Sequence, residues 1–237
     1  MKFYDVNGLE IEKEQFVKIY GDSYFIGRKR IVKGVVQNSE FAEKEIEKIL
    51  CEGIKTPTDV VHILAWKIGK LRHRDCETEK KFVYHSDWKN AENMNVKIRK
   101  REFDIDGFSS YILENLECIE KLYKKEPQLA LNKLKEGSVD GIGTVYMITM
   151  LYFISKKKCP IYDRFAMKAI EAIVNDVKPG NFIKDIQLPD KNSKEFKNIM
   201  KCKMKEYIDN LKVVFGDDYQ NRDVDRALWV YGHMFSK

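Results

Sequence analysis

The sequence contains no CxxC pair, no Ser-, Gly- or Pro-rich tract and no apolar run long enough to span a bilayer. Its five cysteines, Cys51, Cys76, Cys118, Cys159 and Cys202, are scattered and odd in number, which fits free thiols in a reducing cytoplasm better than a disulfide framework. The spacing also argues against a zinc site or an iron–sulfur cluster, and the four histidines (His62, His73, His85 and His233) show no ligand spacing. Neither a metal nor another cofactor is therefore expected. The longest apolar run, Val145 to Ile154, is interrupted by Thr149 and has about half the length a membrane helix needs. Met1 to Gly8 lacks the basic-then-apolar order of a secretory signal. These absences predict a cytoplasmic chain with no membrane partner.

What is present is enough for a folded core. The 237 residues are 43% hydrophobic, 12% aromatic and 34% charged, far from the composition of a disordered chain. The formal net charge of +6 is unevenly placed, because residues 127–205 hold 14 Lys and 1 Arg against 8 Asp plus Glu. Such a local excess suits a polyanionic partner, although a solvated helix face explains many charge runs equally well.

The apolar spacing predicts a mainly α chain, arranged as an orthogonal helical bundle. Helices are expected at 15–20, at 41–51 with Ser39 as N-cap and Gly53 as stop, and from Thr56-Pro57-Thr58-Asp59 to Gly69. Leu71 to Asp106 is charged and irregular, with Trp88 among Asn-rich turns, and is expected to be a loop. Further helices are expected at 108–123, from Pro127 to a Gly137 cap, at 144–155, and at 163–174 with Asp163 as N-cap. Residues 175–193 read as loop. The chain from Lys194 to Leu211 reads as one amphipathic helix, with Phe196, Ile199, Met200, Tyr207 and Leu211 on one face and Lys194, Lys197, Lys201 and Lys205 on the other. A last helix is expected at 223–235, with Leu228, Trp229 and Met234 in the core. Two regions follow, 1–106 and 107–237, packed as one body.

The chemistry concentrates in residues 127–170. Between two predicted helices lies Val139-Asp140-Gly141-Ile142-Gly143, where two glycines around one apolar residue permit a sharp turn and a close backbone approach. Amides at the start of the following helix make an anion site, so Gly141, Ile142, Gly143 and Thr144 could hold a phosphate without reading sequence. After that helix and the turn Pro160-Ile161-Tyr162, Asp163 opens the next one.

This arrangement resembles the helix-hairpin-helix DNA glycosylase superfamily, in particular its bacterial 8-oxoguanine glycosylase-like proteins. Trp66 to Gly69 and Ala227 to Trp229 are similar to that branch as well. The resemblance implies a helix-hairpin-helix element, double-stranded DNA as partner, and Asp163 as the catalytic carboxylate that stabilises positive charge on the deoxyribose as the N-glycosidic bond breaks. The helix dipole would favour its ionised form. Aspartate is equally among the best N-caps, and capping alone accounts for its position. Val145 stands where many members carry the nucleophilic lysine, so no strand-cleaving lyase step is expected there. Two residues separate Pro160 from Asp163 where the family has one, and Asp140 replaces the usual hairpin proline.

Other residues fit the same picture less specifically. Lys156, Lys157 and Lys158 and the four-lysine face are positioned to touch phosphates, or to solvate a turn and a helix. Tyr162, Phe165 and Trp66 could stack on an extruded base, or pack in the core. Three functions stay open: a monofunctional DNA N-glycosylase, a non-catalytic DNA-binding relative, and a helical protein-interaction module.

Overall fold

Side-chain caps at Thr56, Asp163 and Asn221 open three of the helices in the computed structural model. It describes residues 1–24, 29–32, 35–68, 71–75, 80–84, 95–98 and 101–235, with side chains for 1–24, 42–68, 71 and 105–235. The chain is mainly helical, as the apolar spacing predicts, with three small antiparallel sheets among the described residues. No helix among those residues is long and apolar enough to cross a membrane.

The chain divides into two compact units, and the cut does not follow the expected boundary after residue 106. One unit joins the chain ends, Met1–Ile26 and Asn198–Lys237, to Pro160–Pro189; the other holds Gly27–Cys159 and Asp190–Lys197.

The end-joining unit contains α1 (Lys13–Ser23), with the two-residue strands β1 (Phe3–Tyr4) and β2 (Glu10–Ile11) before it. Its other helices, in chain order, are α7 (Arg164–Val174), α8 (Lys203–Phe215) and α9 (Arg222–Gly232). Its core is aromatic: the Phe16 ring lies 5.0 Å from both Tyr20 and Tyr231, and Tyr231 lies 5.0 Å from Phe235. Each such pair adds about 0.5–1.5 kcal/mol to the area it buries. The Tyr20 hydroxyl donates to the Tyr4 carbonyl at 3.0 Å, tying β1 to α1. Asn221 caps α9 through the Asp223 amide, so the last helix starts one residue earlier than the apolar spacing suggests. Of its three expected core residues only Leu228 is fully buried, while Trp229 and Met234 are half-buried.

The second unit begins with β3 (Lys29–Val32), β4 (Val35–Asn38), α2 (Ser39–Glu52) and α3 (Pro57–Lys67). Helix α2 starts at Ser39 itself rather than after it. In α3 the Thr56 hydroxyl accepts from the Asp59 amide while Asp59 accepts from the Thr56 amide, a reciprocal cap worth about 1 kcal/mol. Gly69, the expected stop, lies outside the described residues.

The region 71–106 corrects the expectation of an irregular loop. It holds β5 (Leu71–Asp75), β6 (Lys80–Tyr84), β7 (Asn95–Ile98) and β8 (Arg101–Asp104). Strands β3 to β6 pair in chain order as one antiparallel sheet, and β7 pairs with β8 so that Val96 faces Phe103 across the ladder. Four- and five-residue strands with this many charges carry little apolar alternation, so their period of two is hidden in the sequence. Trp88 lies outside the described residues.

Helices α4 (Ile105–Lys125), α5 (Pro127–Glu136) and α6 (Thr144–Ile154) complete the unit. Helix α6 is its centre: Met147, Ile148, Met150 and Leu151 are each 0% exposed, as are Ile112, Leu131 and Leu134 from α4 and α5. Burying side chains of this size contributes about 1.5–3 kcal/mol each.

Between α2 and α3, His62 is buried with its Nδ1 3.3 Å from Glu45 Oε1. Burial holds the imidazole below its usual value of 6.5, with Glu45 opposing the shift. The unfolded chain therefore takes up a proton as pH falls through about 6.5 while the folded chain resists, so this stabilisation is complete above that pH and is lost below it. Urea unfolding of a His62→Gln variant across that range should show a flatter decline of stability with falling pH than the wild type.

Candidate functional site

A turn joins the end of α5 to the start of α6. Gly137 ends α5, but with φ −85° it needs no left-handed backbone. Its reason is space: a Cβ there would stand 2.0 Å from the Tyr111 ring, which is anchored by its hydroxyl donating to the Lys133 carbonyl at 2.9 Å. Gly141, at φ +97°, does sit in the left-handed region. Ile142 is 0% exposed and its amide donates to the Val139 carbonyl at 3.2 Å, pinning the turn to the core.

Gly143 is the N-cap of α6, with extended backbone, and its carbonyl accepts from the amides of Tyr146 and Met147. Among the described residues nothing accepts from the amides of Gly141 or Gly143. A Cβ added at Gly143 would meet nothing within 4 Å, so the fold itself does not demand glycine there.

One partner of this turn is not legible in the sequence. Lys191, from the segment that reads only as loop, donates its ammonium to the Val139 carbonyl at 2.7 Å and to Ser138 Oγ at 3.1 Å. Partial burial lowers its pKa, and the nearby Asp140 carboxylate opposes that shift most. The exposed Asp140, which counts against anion binding, thus has a cation close by.

Asp163 belongs to the other unit. It is the N-cap of α7, half-buried, and its Oδ1 accepts from the Phe165 amide at 2.9 Å. Its charge raises the pKa of Tyr207, after the larger effect of burial, and contributes to the same rise at Tyr162.

The three candidate stacking residues separate. Tyr162 is 2% exposed, its ring 5.3 Å from Tyr207 and its hydroxyl bonded to the Ile186 carbonyl, so it serves the core of its unit. Trp66, in the other unit, is partly exposed; its indole N–H donates to the buried Glu43 at 2.5 Å and its ring meets Phe153 edge-on. Phe165, half-buried beside Asp163, is stacked 3.5 Å from the exposed His233 ring and lies under the Arg164 guanidinium at 4.6 Å.

The four-lysine face does not form as expected. Lys194 and Lys197 lie in a single 3-10 turn, Lys194–Asn198, whereas α8 begins only at Lys203. Phe196 is buried in one unit, its carbonyl accepting from Gln128; Met204, Tyr207 and Leu211 are buried in the other. The chain crosses between two cores at this point, so an apolar spacing that mimics one helix serves two separate structures. Lys201 precedes α8 and Lys205 pairs with Asp209 one turn on.

No family model matches the chain, and no curated protein or solved structure matches it. The unit that carries the hairpin has 29 Lys plus Arg against 22 Asp plus Glu, so the basic excess of the whole chain resides there.

Proposed function

We propose that this chain binds double-stranded DNA and excises a damaged base, such as 8-oxoguanine, by a water-dependent N-glycosylase reaction. The observation that carries the reading is the hairpin: a turn fixed by Ile142, with the amides of Gly141 and Gly143 unused among the described residues, in the unit that holds the basic excess. Such amides hold a phosphate without reading sequence. Asp163 supplies the second requirement, a carboxylate that is only half-buried. In the proposed step the bond from C1′ to the base breaks with its electron pair going to the base, and water then adds to C1′ while the base takes up a proton. The carboxylate lowers the energy of the sugar cation between these events. The similarity to the helix-hairpin-helix glycosylase superfamily supports the same assignment. Val145 cannot form a Schiff base, so no lyase step is assigned to that position, and the expected product is an abasic site in an intact strand.

The test is incubation of the purified chain with end-labelled duplexes that each carry one lesion: 8-oxoguanine, uracil or an alkylated base. Breaks should appear only after alkali, and for at least one lesion. Duplex binding with no product from any of them would replace this reading by a non-catalytic DNA-binding role, for which the extra residue between Pro160 and Asp163 already speaks.

A Gly143→Ala variant isolates the phosphate grip. Its Cβ meets nothing in the fold, so unfolding should be close to wild type, yet the methyl group stands where a phosphate must approach the backbone. Duplex affinity, followed by fluorescence anisotropy, should fall about tenfold, the loss of roughly one charge-assisted hydrogen bond.

A further inference from the structure

Helix α6 ends in a turn that would ordinarily be built on glycine. Beyond Ser155, the Lys156 amide donates to the Phe153 carbonyl at 3.1 Å and the Lys157 amide to the Tyr152 carbonyl at 2.9 Å, the paired bonds of a Schellman C-cap. Both lysines sit in the left-handed region, at φ 53° and 73°. Among the described residues only Asp176 shares this with them outside glycine. A side chain there costs stability, and two in succession cost it twice.

The turn is also rigidly seated. The Cys159 amide donates to Ser155 Oγ at 3.0 Å, and Cys159 is 0% exposed. Lys156 and Lys158 are exposed and Lys157 is half-exposed. Among the described residues none of the three ammonium groups forms an ion pair. The acid that Lys156 and Lys158 influence, Glu120, is bonded to Lys124 at 2.8 Å, which accounts for most of the lowering of its pKa. One exposed lysine would satisfy the helix dipole without left-handed strain. Strain that persists at an exposed turn points to a use for the side chains that carry it.

We infer that the Lys156–Lys158 turn is a second grip on the DNA backbone, at the opposite end of α6 from the hairpin. The inference rests on the DNA-binding reading above and names a further contact for it. The 11 residues of α6 span about 16 Å, which sets the distance along the helix between the two grips. Lysine is kept at 156 and 157 for its charge, against the preference of the backbone.

The test compares two double variants of the full chain, Lys156→Gly with Lys157→Gly, and Lys156→Gln with Lys157→Gln. The first removes charge and strain together; the second removes charge and keeps the strain. Both should bind duplex about tenfold or more weakly at low salt, and the slope of log affinity against log salt should become shallower by about 1.8 for two lost phosphate contacts. By urea unfolding, the glycine variant should be at least as stable as the glutamine variant. Folded variants that keep wild-type affinity and slope, while Gly143→Ala loses affinity, overturn the second grip and leave the DNA-binding reading standing. A wild-type chain that binds no duplex at any salt overturns both.

Discussion

Replacing Gly232 with alanine should destabilise the protein by about 3 kcal/mol or more, because the added methyl group runs into main chain. The Cβ would stand 1.8 Å from the Phe165 carbonyl oxygen, 2.4 Å from its carbon and 2.9 Å from its Cα. All three are backbone atoms of α7, so no side-chain rotation relieves the clash. The last turn of α9 and the first turn of α7 would have to separate. Ala166, Ala169 and Ile170 on α7 and Ala227, Leu228 and Tyr231 on α9 are all buried, and a gap would strip packing from these helices. Domains have only about 5–15 kcal/mol of stability in total, so the change should appear as a large drop in the urea midpoint. Gly143→Ala is the internal control: its Cβ is in open space, and it should stay within about 1 kcal/mol of wild type. Equal midpoints for the two variants would mean that α7 and α9 do not approach each other this closely.

Gly232 also marks a limit of local sequence patterns. A glycine near a helix end suggests a cap, yet here the reason is a helix from elsewhere in the chain pressing against it, and that cannot be read from local spacing. Gly137 is a second case, because its neighbour is the ring of Tyr111, 26 positions earlier in sequence. By contrast, features set by local chemistry are legible. Thr56 and Asp59, Pro127, and Asp163 all occupy the capping positions their side chains favour, and the apolar stretch from Met147 to Ile154, interrupted only by Thr149, is buried as such a stretch must be. The strands between 71 and 104 are hidden by their charge. The false helix across 194–211 arises because apolar spacing reports a period and not which core each residue enters. Of the proposed site, the tight turn at Gly141 and the Asp163 cap are readable, while Lys191 is not, since a lysine in a loop carries no signal of the carbonyl it will meet.

Asp163 is the residue at which capping and catalysis make opposite demands on one experiment. Asparagine caps a helix about as well as aspartate, so Asp163→Asn should keep the bond to the Phe165 amide and unfold close to wild type. Alanine cannot make that bond, and Asp163→Ala should cost about 1 kcal/mol. If the side chain only caps, any activity should follow stability, with wild type and asparagine alike and alanine lower. If the carboxylate stabilises a sugar cation, the order changes. Asparagine presents a neutral amide to the developing positive charge, and single-turnover excision should fall by about 10²–10³-fold in both variants, the size seen when one preorganised electrostatic contact is removed. Duplex affinity should change little, because the proposed phosphate contacts belong to the hairpin and the lysine turn. Loss of turnover in Asp163→Asn with stability and binding retained therefore separates a charge that acts on substrate from one that merely starts a helix. Wild-type turnover in that variant would assign the chemistry elsewhere and leave Asp163 as a cap.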